Sequence, residues 1–110
     1  MATGWFSHPD CARHEMGPWH PEQPARLAAI EAALEAGHFS QLIRFEAPLV
    51  AETALCRVHL PAYVQAIEGA APSAGQVVLD PDTRMNPYSL AAARRAAGAV
   101  VAAVDRVMAG

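Results

Sequence analysis

A chain of 110 residues with 53% hydrophobic content has room for one small domain with a core, and none for a large α/β enzyme. Net charge is -3 and all eight basic residues are arginines without a basic run, which argues against nucleic acid or an anionic membrane surface as partner. The two cysteines, Cys11 and Cys56, form no disulfide framework, and the N-terminus lacks the basic segment and apolar run of a secretory signal. Reduced thiols and a cytoplasmic location are the expectation.

Thr3 to His8 carries two aromatics and ends at a proline, which reads as a strand leading into a loop. From His8 to Leu27 the chain runs HPDCARHEMGPWHPEQPARL. Pro9, Pro18, Pro21 and Pro24 each fix φ, remove an N–H and push the preceding residue out of the helical region. A stiff, irregular loop from Pro9 to about His20 is therefore expected, the kind of segment on which recognition residues tend to sit. Pro21 and Pro24 suit a first helical turn, Glu22 suits its positive end, and Gly37 is a stop. With Leu27, Ile30 and Leu34 at helical spacing, the first helix is placed at Pro21 to Ala36.

Ser40 to Ile43 reads as a turn of helix and Arg44 to Ala47 as a short strand stopped by Pro48. Glu52 to Val58 and Pro61 to Glu68 read as two short helices hinged at Val58-His59-Leu60, and Gly69 to Gly75 as a loop. Gln76 to Asp80 is an extended segment that need not pair, and Asp80 to Pro87 (DPDTRMNP) a second polar, proline-bounded loop. A long helix follows from Tyr88 to Ala109, with Leu90, Ala93, Ala97, Val100, Val101, Val104 and Met108 on one broad face, read as core. Gly98 inside it costs about 1 kcal/mol against Ala, which suggests a close packing partner. Bounding charges make this helix a buried one rather than a membrane span. Gly110 is a fitting stop, so the chain is expected to end where an element ends. Strands separated by helices imply parallel pairing and crossovers, and two or three strands cannot make a covered parallel sheet by themselves.

The imidazole and thiol groups at His8, Cys11, His14 and His20 have the spacing H-x2-C-x2-H-x5-H, a plausible zinc ligand set that opens the reading of a small zinc-stapled domain. His59 reads as a hydrogen-bonding residue, and Asp80 and Asp82 as turn caps or paired carboxylates. Trp5, Phe6 and Trp19 read as core aromatics or the lining of an apolar pocket.

Three stretches carry a resemblance: HEMGPWHPEQPARLAAIEAAL, the A-E-T-A-L-x-x-V-H-L-P-A-Y-V-x-A-I pattern from Ala51 to Ile67, and L-D-P-D-T followed by P-Y-S-L-A-A-A-R-R-A-A-G-A-V up to Val100. From about Trp5 to Met108 the sequence resembles the N-terminal part of the zinc-dependent histone deacetylase family. It is most similar to the bacterial class II type that includes acetylpolyamine amidohydrolases and acetoin-utilisation-like proteins. The resemblance implies an α/β chain, the N-terminal part of the arginase/deacetylase three-layer fold with its mostly parallel sheet, here truncated and helix-rich. It implies one partial domain over residues 1–110, hydrolysis of acetyl-amides on lysine or polyamine by the whole family member, and zinc as that member's cofactor.

The paired acid/base histidines and the Asp-x-His zinc motif of the family have no counterpart in these residues, so no bound cofactor and no independent catalysis are expected. What the resemblance carries over is the rim of the substrate channel: His20, Pro21 and Glu22 on a first loop, Asp82 and Thr83 on a second, and Arg26 beside an internal channel. As partners it implies acetylated lysine or polyamine and a missing catalytic half. The alternative is a self-standing binding or assembly module derived from a deacetylase, a homo-oligomer whose partner copies cover helix faces and strand edges.

Overall fold

The structure, a computed structural model, describes residues 2–110. Strand β1 (Gly4–Ser7) pairs in parallel with β2 (Ile43–Glu46), in the register Gly4 to Ile43 through Ser7 to Glu46. Parallel pairing requires a crossover, and the segment between the strands supplies it. It comprises a 3₁₀ turn at Pro9–Arg13, helix α1 (Pro24–Leu34) and a second 3₁₀ turn at Gly37–Phe39. Phe6 and Phe45 stack across the pair at 4.8 Å between ring centres, and Arg106 of the last helix lies 4.3 Å over the Phe45 ring. Helices α2 (Glu52–Leu55) and α3 (Pro61–Ala70) follow, then the hairpin β3 (Val77–Asp80) and β4 (Thr83–Met85), then α4 (Ser89–Ala109).

Several expected boundaries move, each for a local reason. The stretch after His8 is regular at its start: the His8 ring accepts the Asp10 N–H at 3.0 Å, and Pro9 opens a 3₁₀ turn. Helix α1 starts at Pro24 rather than Pro21. Gln23, which precedes a proline, is held extended at φ -149 and ψ 152, so the residues before Pro24 cannot be helical. Helix α2 ends at Leu55, short of Val58. The segment expected to pair with nothing pairs with part of the expected second loop, so that loop is a two-residue turn, Pro81-Asp82, closing a hairpin. Two-residue hairpins favour turns with positive φ, which Pro81 cannot adopt. The ladder instead carries an irregularity between Val78 and Asp80.

Helix α4 holds the elements together through its small-residue side. A Cβ on Gly98 would lie 1.9 Å from the Pro48 carbonyl oxygen, so the backbone after β2 rests directly on the helix. The same contact is reinforced by Val50 N–H donating to the Arg94 carbonyl at 3.1 Å. Arg95 donates to Asp10 at 3.1 Å and to the Ala47 carbonyl at 3.0 Å, joining α4 to the 3₁₀ turn and to the end of β2. Arg94 pairs with Glu68 of α3.

The core these contacts enclose is small: Met16, Ala47, Val64, Met85 and Ala92, with Ser89 as the buried polar residue. The stripe expected as core on α4 is not core at its C-terminal half, where Val100, Val104 and Met108 are 65%, 55% and 80% exposed. A compact monomer of 11.7 kDa presents about 5,900 Å². This chain presents 7659 Å², so a substantial area that a finished domain would cover is open.

Candidate functional site

The site grows out of the way the proline-rich loop lies on the hairpin and on the start of α4. Asn86 Nδ2 donates to the Arg13 carbonyl at 2.8 Å, and Nδ1 of His14 lies 2.6 Å from Ser89 Oγ. That hydroxyl also accepts the Asn86 N–H at 2.8 Å, while Asn86 Oδ1 accepts the Tyr88 N–H at 3.0 Å, which shapes the entry into α4. Further along, Gln76 Nε2 donates to the Glu15 carbonyl at 3.4 Å, and the Arg84 N–H meets the sulfur of the buried Met16 at 3.4 Å.

The loop ends in the contact that joins the expected rim residues. Nδ1 of His20 accepts the Glu22 N–H at 3.0 Å, so the ring proton sits on Nε2 and is donated to Asp82, 3.0 Å to Oδ1 and 2.9 Å to its carbonyl. Asp82 is held from its other side, its N–H donating to Asp80 Oδ1 at 2.8 Å. Glu22 pairs with Arg26 one turn on, at 3.0 Å, within α1's entry. Thr83 is the first residue of β4 rather than part of a loop, opposite Asp80. Pro21 stands between His20 and Glu22, and Trp19 projects into solvent at 96% exposure, so it is neither core nor pocket lining.

His20, Glu22, Arg26, Asp82 and Thr83, 63 residues apart in sequence at the extremes, thus gather at one edge of the molecule. The Asp82 side chain is 90% exposed and spends one oxygen on His20, which leaves the other free to accept an N–H from outside. Arg26, Glu22 and Thr83 also border an apolar cleft of about 560 Å³ between α1, α3 and α4. Met16, Gln76, Arg84, Asn86 and Ser89, which hold the loop and hairpin together, carry no motif in the sequence. The nearest signal is Asn86 just before a helix, and that predicts a cap, not a partner for the loop.

The zinc-staple reading does not fit these residues. His8 faces Asp10 and Glu46, each at 3.3 Å, His14 faces Ser89, His20 faces Asp82, and the Cys11 sulfur approaches the Ala92 carbonyl at 3.8 Å. Among the described residues no group of three or more His, Cys, Asp or Glu is placed to hold a metal ion. Burial, then the charge of Asp10, pushes the Cys11 thiol above its ordinary pKa, the reverse of what a thiolate ligand needs. Cys11 and Cys56 are both free. His59 borders the apolar cleft and lies 5.3 Å from the Tyr63 ring.

The profile of the histone deacetylase domain matches residues 20–110, beginning at His20 itself. The chain belongs to the histone deacetylase family. An uncharacterized protein of Synechocystis sp., slr0245, is 35% identical over 100 residues, a match that covers 87% of this chain and 33% of that protein. The crystal structure of the HDA15 HD domain superposes with a TM-score of 0.79 at 27% identity, over 89% of this chain and 29% of that one. This histone deacetylase-family chain therefore spans about a third of the length of the relatives it matches. Its mixed helices and parallel β1–β2 pair are the beginning of the deacetylase fold. Among the described residues no helix is long and apolar enough to cross a membrane.

Proposed function

We propose that this chain is the substrate-entrance segment of a zinc-dependent amidohydrolase that removes acetyl groups from lysine or polyamine nitrogens. In this reading the proline-rich loop and the β3–β4 turn form the rim. The observation that carries it is the His20–Asp82 contact, because it turns two segments distant in sequence into one rigid edge with a carboxylate oxygen left free. A substrate N–H donated to that oxygen would be a charge-assisted hydrogen bond, strong enough to orient an extended ligand across the edge. The His20 ring has a positioning role: it holds Asp82 and does not meet the reacting atoms. When bound, zinc would supply the activated water, held by ligands that this reading places outside these residues. The chain is therefore expected to be inactive alone.

Two measurements on the 110-residue protein test this. With millimolar acetyl-lysine peptide or N-acetylputrescine, the amide NMR signals of His20, Asp82 and Thr83 should shift while those of the α4 C-terminus stay. Unmoved rim signals would sink the rim assignment. Acetate release from either substrate, abolished by a chelator, would show that the chain carries its own metal chemistry and would refute the reading.

A further inference from the structure

The triplet histidine-proline-acid occurs twice, as His8-Pro9-Asp10 and as His20-Pro21-Glu22, and both copies take the same arrangement. In each, ring Nδ1 accepts the N–H of the acidic residue two positions on, at 3.0 Å. In each, Nε2 faces a carboxylate from a distant element: Glu46 at the end of β2, at 3.3 Å, and Asp82 in the β3–β4 turn, at 3.0 Å. The acid of each triplet is in turn paired with an arginine, Asp10 with Arg95 and Glu22 with Arg26. The proline accounts for the repeat. It holds the residue before it extended, as His8 is at φ -154 and ψ 141, so the ring can fold back over the N–H beyond the proline in the manner of an Asx turn.

We infer that the two triplets are matched clamps that hold the proline-rich loop only while their imidazoles are neutral, so that acid releases the loop at both ends. A neutral ring has one acceptor nitrogen, here spent on a backbone N–H, whereas an imidazolium has two donors and no acceptor. A proton taken up at Nδ1 sets donor against donor across 3.0 Å, and the turn must open. The two rings are only 13% and 18% exposed, so water cannot take the lost partner's place unless the loop moves.

The surrounding charges decide where the protonated rings go. His8 is faced by Asp10 of its own turn and by Glu46 of β2, with Arg95 of α4 on Asp10 and with Cys11 and Glu31 of α1 lining the small cavity beside it. His20 is faced by Asp82, which is held by Asp80, and by Glu22 with its partner Arg26. Each imidazolium therefore stays with its carboxylates and lets go of the backbone. His14, between them in the chain, is not a clamp of this kind. Its Nδ1 meets the hydroxyl of Ser89, which accepts as readily as it donates and so serves either state of the ring. Every contact in the device lies within the described residues, and the inference does not rest on the reading of the rim.

The test is NMR on the 110-residue protein across the interval of about pH 8 to pH 5, where histidine changes charge. At the alkaline end, long-range proton–nitrogen spectra should show His8 and His20 with the proton on Nε2. His38 and His59, which lie against Phe39 and Tyr63, serve as references. As the two rings protonate, the exchange protection of the Asp10 and Glu22 amides should fall by about tenfold, while the interior of α4 keeps its protection. In His8→Asn and His20→Asn the side-chain oxygen replaces Nδ1 as acceptor and cannot titrate, so protection at the matching amide should no longer depend on pH. A proton on Nδ1 at the alkaline end, or protection that persists through protonation of the rings, would overturn the proposal. So would an equal acid loss in the asparagine variants or in α4, since either means general unfolding rather than release of the loop.

Discussion

At the scale of single residues, Gly98 decides most. In a helix interior, alanine is ordinarily preferred to glycine by about 1 kcal/mol. Here the added methyl would sit 1.9 Å from the Pro48 oxygen, a backbone atom that cannot step aside without moving the chain after β2. Gly98→Ala is expected to destabilise the protein by about 2 to 3 kcal/mol in urea titration, the cost of overpacking outrunning the propensity gain. A stabilised variant would mean that α4 and the Pro48 segment are not in contact. His20 is a milder case: its replacement by alanine removes the tie to Asp82 from a largely buried ring, at a cost of about 1 kcal/mol. The diagnostic is faster amide hydrogen exchange at both the Glu22 and Asp82 N–H groups.

Cys11 shows how burial governs reactivity. Its raised pKa keeps the thiol protonated at neutral pH, so alkylation by iodoacetamide, followed by mass spectrometry, should be slow at pH 7 and climb only well into the alkaline range. The same shift couples to stability. The folded state retains the proton longer than the unfolded state does, so this group leaves stability unchanged at neutral pH and lowers it as pH rises through the unfolded thiol's ordinary pKa.

At the scale of elements, the entry into α4 is the joint between the loop and the hairpin. The hydroxyl of Ser89 is buried and serves the Asn86 N–H and His14 together. Ser89→Ala leaves those groups unsatisfied in a place water barely reaches, and about 1 to 3 kcal/mol should be lost. If thermal denaturation shows no loss, the loop is not anchored there. The elements themselves could be read from local chemistry where prolines, glycines and helical spacing speak plainly, as they do for β1, β2, α3 and α4. The β3–β4 hairpin could not. Its turn lacks the glycine or asparagine signal of tight hairpins, and its strands are held by Met16, Gln76 and Arg84 contacts that no periodicity announces.

At the scale of the whole molecule, the surplus of exposed surface is the governing fact. Two separate two-stranded sheets and a core of mostly small or flexible side chains leave little to hold the chain beyond α4 and its polar ties. A staple would change that, yet the histidines and Cys11 are each engaged elsewhere. Adding zinc, or removing it with a chelator, should leave the melting temperature unmoved. A rise of several degrees with stoichiometric zinc would show that the four side chains converge after all.

By itself the sequence determined the order of the elements, the proline-set start of the loop, the close approach at Gly98 and the family, because these depend on backbone restrictions and motif spacing that act locally. The resemblance, not the residues alone, offered His20, Pro21, Glu22, Arg26, Asp82 and Thr83 as rim candidates. Only the tertiary structure decided that His20 and Asp82 meet, that the supposed second loop is a hairpin, that the candidate zinc ligands part ways, and that half of the α4 stripe faces solvent. The physical reason is shared by all four. Which side chain faces which depends on how the elements are brought together in space, for His20 and Asp82 across 62 residues, and whether an apolar stripe is covered depends on what else is there to cover it.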